Sequence, residues 1–265
     1  MNELLCCEKN IIKQIFSNYS VIENDENLIE LLSEYSINST DNPRKTIYDM
    51  MKKNYANETV IKSEFIKNYL SKVKTAITIF ELPIGNSRID LCKVNGKSVA
   101  YEIKTDYDTP SRLSSQLDDY DQVFEEIYII CSSNNVEKFS KYINNRVGII
   151  SYHIYNNKYI FKEERKSKIK NILNSKYQLN CMQTKELKTY FKHLCFKKNI
   201  SKNELIQQIL EKESNEKINK IFKLALKNRY KNNWNIFLQN ISNINELDYQ
   251  WFYKSMLSPK FIYNI

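Results

Sequence analysis

Residues 88–105, Arg88-Ile89-Asp90-Leu91-Cys92-Lys93-Val94-Asn95-Gly96-Lys97-Ser98-Val99-Ala100-Tyr101-Glu102-Ile103-Lys104-Thr105, decide how the chain is read. Two runs of strand-forming residues flank Asn95-Gly96, the dipeptide that most strongly marks a β-hairpin turn. The polar residues inside those runs are what need explaining. Glu102 and Lys104 stand two apart in an otherwise apolar strand, so both project from one face. Asp90 joins them only if the register permits. A two-residue turn on Asn95-Gly96 pairs residues whose numbers sum to 191, which sets Asp90 opposite Tyr101 and on the wrong face. A three-residue loop with Gly96 in the left-handed region, or a bulge near Asp90, restores the parity. The sequence predicts one of these two devices.

Two carboxylates and an ammonium on one face are the groups that metal-dependent phosphodiester hydrolysis requires. Magnesium takes hard oxygen ligands and keeps several waters, so one or two carboxylates plus a substrate phosphate suffice. Such an ion lowers the pKa of a bound water and neutralises charge building on the phosphate. A neighbouring lysine orients that water or helps to deprotonate it. The plain alternative is a surface aspartate and a Glu-Lys pair on an exposed sheet face, an arrangement common in strands.

Asp90, eleven intervening residues and then Glu102-Ile103-Lys104 resemble the core of the PD-(D/E)XK phosphodiesterase superfamily of restriction, recombination and repair nucleases. Asn57-Glu58-Thr59-Val60-Ile61-Lys62 resembles the helix that supplies this superfamily's additional glutamate. Ser115-Gln116-Leu117-Asp118-Asp119-Tyr120 resembles the helix whose glutamine faces the metal. Tyr101-Glu102-Ile103-Lys104-Thr105 with Ser115-Gln116-Leu117 is similar to an uncharacterised bacterial and phage branch. The resemblance spans roughly residues 55 to 162, with Ile89 where a proline often precedes the aspartate. It implies an α/β fold with a restriction-endonuclease-like mixed sheet flanked by helices. It also implies that Mg²⁺ (or Mn²⁺) is held by Asp90, Glu102 and the backbone carbonyl of Ile103. Lys104, Glu58 and Gln116 would then be catalytic, and Arg112 would hold a nucleic-acid phosphate.

A chain of 265 residues with 42% hydrophobic content has room for one large domain or two ordinary ones. The mean hydropathy of -0.56 fits a soluble protein. No apolar run approaches the roughly 18 residues of a membrane span, so no membrane association is expected. Met1-Asn2-Glu3-Leu4-Leu5-Cys6-Cys7-Glu8 lacks the basic and apolar regions of a signal peptide, and the cytoplasm is the expected compartment. The six cysteines form no Cys-x-x-Cys pair and there are only two histidines, which removes zinc-ligand spacing and disfavours a Ser-His or Cys-His catalyst. Cys92 and Cys131 read as small buried hydrophobes. The net charge of +9 is unevenly placed. Residues 1–165 hold 21 basic against 24 acidic side chains, and residues 166–265 hold 19 against 7. Lysine-rich coding bias acts on both parts and does not explain the split, which points to a polyanionic partner.

Three regions are expected: a helical N-terminal appendage over residues 1–50, the nuclease-like α/β core over 51–165, and a basic helical region over 166–265. Asn38-Ser39-Thr40-Asp41-Asn42-Pro43 reads as a loop. Residues 44–72 read as helical with a break near Asn54, and Glu64 is a fallback for Glu58. Thr75 to Leu82 is a strand ending at Pro83-Ile84-Gly85-Asn86. Thr109 and Pro110 start a helix whose buried stripe is Leu113, Leu117, Tyr120 and Phe124. Glu126–Cys131 and Val147–Tyr152 are buried strands around a helix at 136–143, and Asn156-Asn157 turns a final small hairpin. Beyond 165, Thr184–Leu194 and Ser201–Glu211 fit either a helix-turn-helix or a plain bundle. The aromatics Tyr230, Trp234, Phe237, Trp251, Phe252 and Tyr253 either stack bases or form a small core. The terminal aromatic tail is expected to anchor on the nuclease core.

The expected function is a metal-dependent endonuclease acting on nucleic acid, DNA before RNA. The competing readings are a non-catalytic nucleic-acid-binding protein of the same shape, and a defence-associated module whose basic face meets an acidic protein. Oligomeric state is left open, a homodimer included.

Overall fold

The computed structural model describes residues 2–38 and 42–263, with side chains from residue 9 onward. Ser39, Thr40 and Asp41 of the expected loop lie outside the described residues, as do the side chains of Cys6 and Cys7 and the end of the tail. The chain divides into two compact units. The first joins Met1–Lys72, Ile154–Ile160 and Asn233–Ile265, and the second joins Val73–His153 and Phe161–Asn232.

The first unit is helical. Its elements begin with α1 (Asn2–Asn18), α2 (Asp25–Glu34), α3 (Pro43–Asn54) and α4 (Glu58–Phe65), the last continued by a π-helical turn at Ile66–Leu70. Each local signal has a cause. Asn24, Asn42 and Asn57 cap α2, α3 and α4 by accepting a backbone N–H from the first turn, and Pro43 opens α3 where its missing N–H costs nothing. The core takes Ile12, Ile15, Leu28, Leu32, Ile47, Met51, Val60, Ile61 and Phe65 from these helices, together with Trp234, Phe237, Phe252 and Tyr253 from the C-terminal segment. Trp234 stacks on Phe237 with ring centroids 5.4 Å apart. Those four aromatics are therefore core residues rather than a base-stacking surface. Buried Arg44 ties the unit together: it pairs with Asp25 at 3.2 Å and Asp248 at 3.6 Å, and lies over the Tyr263 ring.

The second unit is built on a mixed sheet of six strands in the order β1-β2-β3-β4-β5-β6, of which only the hairpin tip Ile154–Ile160 is grouped with the first unit. They are β1 (Ile77–Ile84), β2 (Ser87–Asn95), β3 (Lys97–Lys104), β4 (Glu126–Ser132), β5 (Gly148–Tyr155) and β6 (Lys158–Arg165). Strands β1 to β3 form an antiparallel meander, while β3, β4 and β5 run parallel. The parallel connections carry α5 (Leu113–Val123) and α6 (Val136–Ser140), as parallel pairing requires. Near-continuous burial along β4, from Ile127 to Ser132, fits a strand covered on both faces. The expected small hairpin is not separate. Asn156 and Asn157 both take positive φ, a mirror-image turn that extends β5 directly into the sixth strand. Strand β6 is largely exposed and carries Lys162, Glu163, Glu164 and Arg165, charges that blunt a sheet edge. Cys92 and Cys131 are buried, free thiols, and burial pushes Cys131 up to about 12.

The chain continues through α7 (Ser175–Cys181), α8 (Thr184–Tyr190), α9 (Lys202–Lys212), α10 (Asn215–Asn240), α11 (Tyr249–Ser255) and α12 (Pro259–Tyr263). The compact units cut across the expected boundaries near residues 50 and 165. Packing, not composition, sets them. Gln178 in α7 donates to the Val123 carbonyl, and Lys223 in α10 reaches Glu125 and the Gly96 carbonyl, each at or below 3.1 Å. These bonds keep the basic helices up to Asn232 with the sheet. Ser63 in α4 bonds the Glu246 carbonyl at 2.6 Å, which joins that helix to the C-terminal segment. The tail accordingly belongs with the N-terminal helices. Between α8 and α9 runs a segment with a 3-10 turn at Lys192–Leu194 and left-handed Cys195, longer than a helix-turn-helix allows. Leu187, Phe191, Leu205 and Ile209 are buried, the pattern of a bundle.

Candidate active site

The β2–β3 hairpin decides which side chains meet. Its pairs run Leu91↔Tyr101, Cys92↔Ala100, Lys93↔Val99 and Val94↔Ser98, so the residue numbers sum to 192. Gly96 takes φ +73, so the odd-length turn centred on a left-handed glycine is the device that restores parity. Continuing the register by one pair sets Asp90 across from Glu102. At that point the ladder gives way: the Asp90 carboxylate, through Oδ2, accepts the Ile103 N–H at 2.7 Å.

Strand β1 adds a residue that the sequence reading did not single out. Its pairs with β2 sum to 171, with Phe80↔Leu91 and Leu82↔Ile89 on either side of the position where Glu81 faces Asp90. Carboxylate oxygens of Glu81 and Asp90 lie within 4.8 Å of each other. Glu81 has φ +54, a conformation rare for a residue with a long side chain and one that clusters at functional sites. Glu81, Asp90 and Glu102 thus occupy one row across three adjacent strands, all buried. The signal was available: a tight turn on Gly85-Asn86 fixes the 171 register and with it the facing of Glu81 and Asp90.

Lys104, two residues beyond Glu102, is buried with it. Its Nζ donates to Glu102 Oε1 at 2.8 Å and to Gln116 Oε1 at 2.9 Å. Tyr120, one turn after Gln116 on α5, donates its hydroxyl to Glu102 Oε2 at 2.9 Å. Leu113, Leu117, Tyr120 and Val123 seat α5 on the sheet. Asp119 of the same helix holds the β1–β2 turn, accepting from Ser87 Oγ at 2.6 Å and from the Asn86 N–H at 3.2 Å. Burial, then the Glu102 charge and the hydrogen bond to it, raise the Tyr120 phenol above its ordinary value, so it stays a donor.

The structure therefore brings together Asp90, Glu102, Lys104 and Gln116, with the Ile103 backbone between them. Arg112 is exposed at the end of the 3-10 turn Pro110–Arg112, one helical turn before Gln116. Glu58 belongs to the first unit, where it starts α4, is half exposed and pairs with Lys62 at 2.7 Å. Its fallback Glu64 is buried there, accepting from Tyr48 and pairing with Lys52 at 2.7 Å.

The donor set suits a hard divalent cation. Asp90 and Glu102 offer carboxylate oxygens from facing strand positions, with neither thiolate nor imidazole among them. A carboxylate oxygen that accepts one hydrogen bond still has a lone pair for a cation. Lys104 and Tyr120 fix the orientation of Glu102, and the Ile103 amide fixes that of Asp90.

Among the described residues, no helix is long and apolar enough to cross a membrane. Comparison with known proteins gives a family match over residues 51–250, to the family described as Bacteriophage P4 protein cII. Protein cII of Enterobacteria phage P4 is 28% identical over 176 residues, covering 65% of this chain and 66% of that protein, just short of two thirds of its length. A solved structure of a protein of unknown function from Silicibacter pomeroyi aligns over 52% of this chain and 94% of its own, at 9% identity and a TM-score of 0.32.

Proposed function

The chain belongs to the Bacteriophage P4 protein cII family, and we propose that it is a metal-dependent nuclease built on a restriction-endonuclease-like core of the PD-(D/E)XK type. One observation carries this reading. A buried lysine is shared between a carboxylate and a glutamine, beside a second carboxylate facing the first across the hairpin. A solvated sheet face would not bury these groups or aim them at one another.

In this reading Asp90 and Glu102 hold Mg²⁺ or Mn²⁺, with the Ile103 carbonyl as a further oxygen donor. Such an ion, held there, would supply a more acidic water and would neutralise charge on the phosphate. Hydrolysis adds water across one P–O ester bond and leaves a phosphomonoester and a hydroxyl. Lys104 orients the attacking water and offsets negative charge on the phosphate oxygens. Gln116 accepts from Lys104 through its oxygen, which turns its amide N–H groups away from the lysine and toward a phosphate or the water. Tyr120 keeps Glu102 oriented through its second oxygen. Arg112 contacts a neighbouring phosphate. The lysine-rich helices of residues 166–232 hold the duplex backbone by charge, which makes binding salt-dependent.

The test is cleavage of linear and supercoiled DNA, with RNA in parallel, in Mg²⁺ or Mn²⁺. Activity that is lost in EDTA and in Asp90→Ala supports the proposal. Wild-type protein that cleaves neither polymer with either ion sinks it.

A further inference from the structure

The site reading leaves Arg88 without a task, although it stands two residues before Asp90 on the same sheet face. Its Nε pairs with Glu81 Oε2 at 2.5 Å, and the partners differ sharply in exposure, 68% for the arginine side chain and 4% for the glutamate. The β1–β2 register also pairs Arg88 with Pro83, and both are exposed. Carrying the β2–β3 register to the same level sets Arg88 across from Lys104. The face therefore has a buried row of carboxylates and, beside it, a row that holds exposed Arg88 and buried Lys104.

We propose that Arg88 is a substrate-phosphate contact held in reserve by Glu81, released when a phosphate and the site's divalent ion take over the two halves of that ion pair. This rests on the nuclease reading and adds to it a specific contact and a form of control. Without substrate, Glu81 is a desolvated carboxylate beside a second one, Asp90, so a cation on its solvent side is favourable. Arg88 supplies it from the solvent side. With a divalent ion at Asp90, Glu81 has another source of positive charge. The guanidinium, already mostly in solvent, can then turn to a phosphate oxygen, for which its planar fork is well shaped. The exchange forms and breaks no covalent bond.

Binding of a 20-base-pair random duplex, followed by fluorescence anisotropy across a salt series, tests this in EDTA and again in Ca²⁺, with melting curves to verify folding. Arg88→Ala is expected to weaken binding about five- to tenfold in Ca²⁺ and to reduce the log-affinity against log-salt slope by about one phosphate. Glu81→Gln is expected to tighten binding severalfold in EDTA, where the latch is otherwise closed. The double variant decides the mechanism: the gain from Glu81→Gln should vanish in the Arg88→Ala background. A gain that survives there would mean that Glu81 acts only as general negative charge, and the latch is overturned. Wild-type cleavage in Mg²⁺ combined with an unchanged salt slope in Arg88→Ala overturns the inference and leaves the nuclease reading standing. A wild type that neither binds nor cleaves the duplex overturns both.

Discussion

Asp90 accepts the backbone N–H of Ile103 at 2.7 Å, at the point where the β2–β3 ladder ends. A side chain thus replaces a main-chain acceptor, and the carboxylate is both a structural bond and a candidate ligand. The two roles separate by substitution. Asp90→Asn keeps an acceptor for the amide, so it should lose less stability than Asp90→Ala. Asp90→Ala leaves a buried N–H without its acceptor and should cost about 1–3 kcal/mol. Mg²⁺ should raise the melting temperature of wild type and leave that of Asp90→Asn unmoved. An equal Mg²⁺ shift in both proteins would remove Asp90 from the ligand set.

Lys104 and Glu102 form a buried ion pair, with side chains 9% and 3% exposed. Removing one member of such a pair strands the other charge in a poor solvent. Lys104→Met should therefore lose about 3 kcal/mol in urea unfolding, and Lys104→Met with Glu102→Gln should recover part of it. Cleavage should disappear in both, while duplex binding in EDTA stays close to wild type. Loss of binding in step with loss of cleavage would assign Lys104 to holding the nucleic acid rather than to the chemistry.

Much of this arrangement was legible in eighteen residues, and the reason is arithmetic. Side chains alternate along a strand, so the demand that Asp90 meet Glu102 rejects a plain 191 register and calls for an odd-length turn or a bulge, of which the structure has the turn, with Gly96 at φ +73. Glu81 was missed because its importance depends on the neighbouring hairpin, and an acid near a strand end carries no pattern of its own. The compact units were missed for a different reason. Texture changes at residue 165, but bonds such as Gln178 to the Val123 carbonyl depend on where distant segments pack. Ambiguous aromatics were settled by burial alone: Trp234, Phe237, Phe252 and Tyr253 are each at or below 2% exposure.

Glu125 gives the fold a built-in acid sensitivity. Burial pushes its carboxyl up, but hydrogen bonds from Lys223, the Ser98 amide and Asn219, with the Lys223 charge, outweigh that and leave it below the ordinary carboxylate value. A carboxylate with a depressed folded pKa stabilises the fold fully above its unfolded pKa, and that contribution is lost as pH falls through the folded value. Wild type should thus exceed Glu125→Gln in unfolding free energy at pH 7, with the gap narrowing below about pH 4. Lys223 is foremost among the groups that hold Glu125 low, so Lys223→Met should narrow the same gap. A gap that is constant with pH would mean that Glu125 contributes by packing rather than by charge.

Two glycines of the sheet should respond to alanine for opposite reasons. At Gly96 a Cβ meets nothing within 4 Å, and the cost is conformational, from φ +73. Gly96→Ala should lose about 1 kcal/mol, and Gly96→Asn less, because asparagine tolerates the left-handed region. The register survives in both, so cleavage should too. At Gly148 the backbone is ordinary, but a Cβ would stand 2.4 Å from the Tyr128 ring and 2.8 Å from the Ser167 amide nitrogen. The ring has little freedom to retreat, since it stacks on Tyr101 with centroids 5.8 Å apart and its hydroxyl bonds Glu163 at 3.0 Å. Gly148→Ala should cost about 2–3 kcal/mol, as overpacking does. Because Tyr101 immediately precedes Glu102, the displacement should also reduce cleavage. Combining Gly148→Ala with Tyr128→Leu should cost less than the sum of the two alone, since the shorter side chain makes room. Strict additivity in urea unfolding would show that the backbone at Ser167, not the ring, sets the limit.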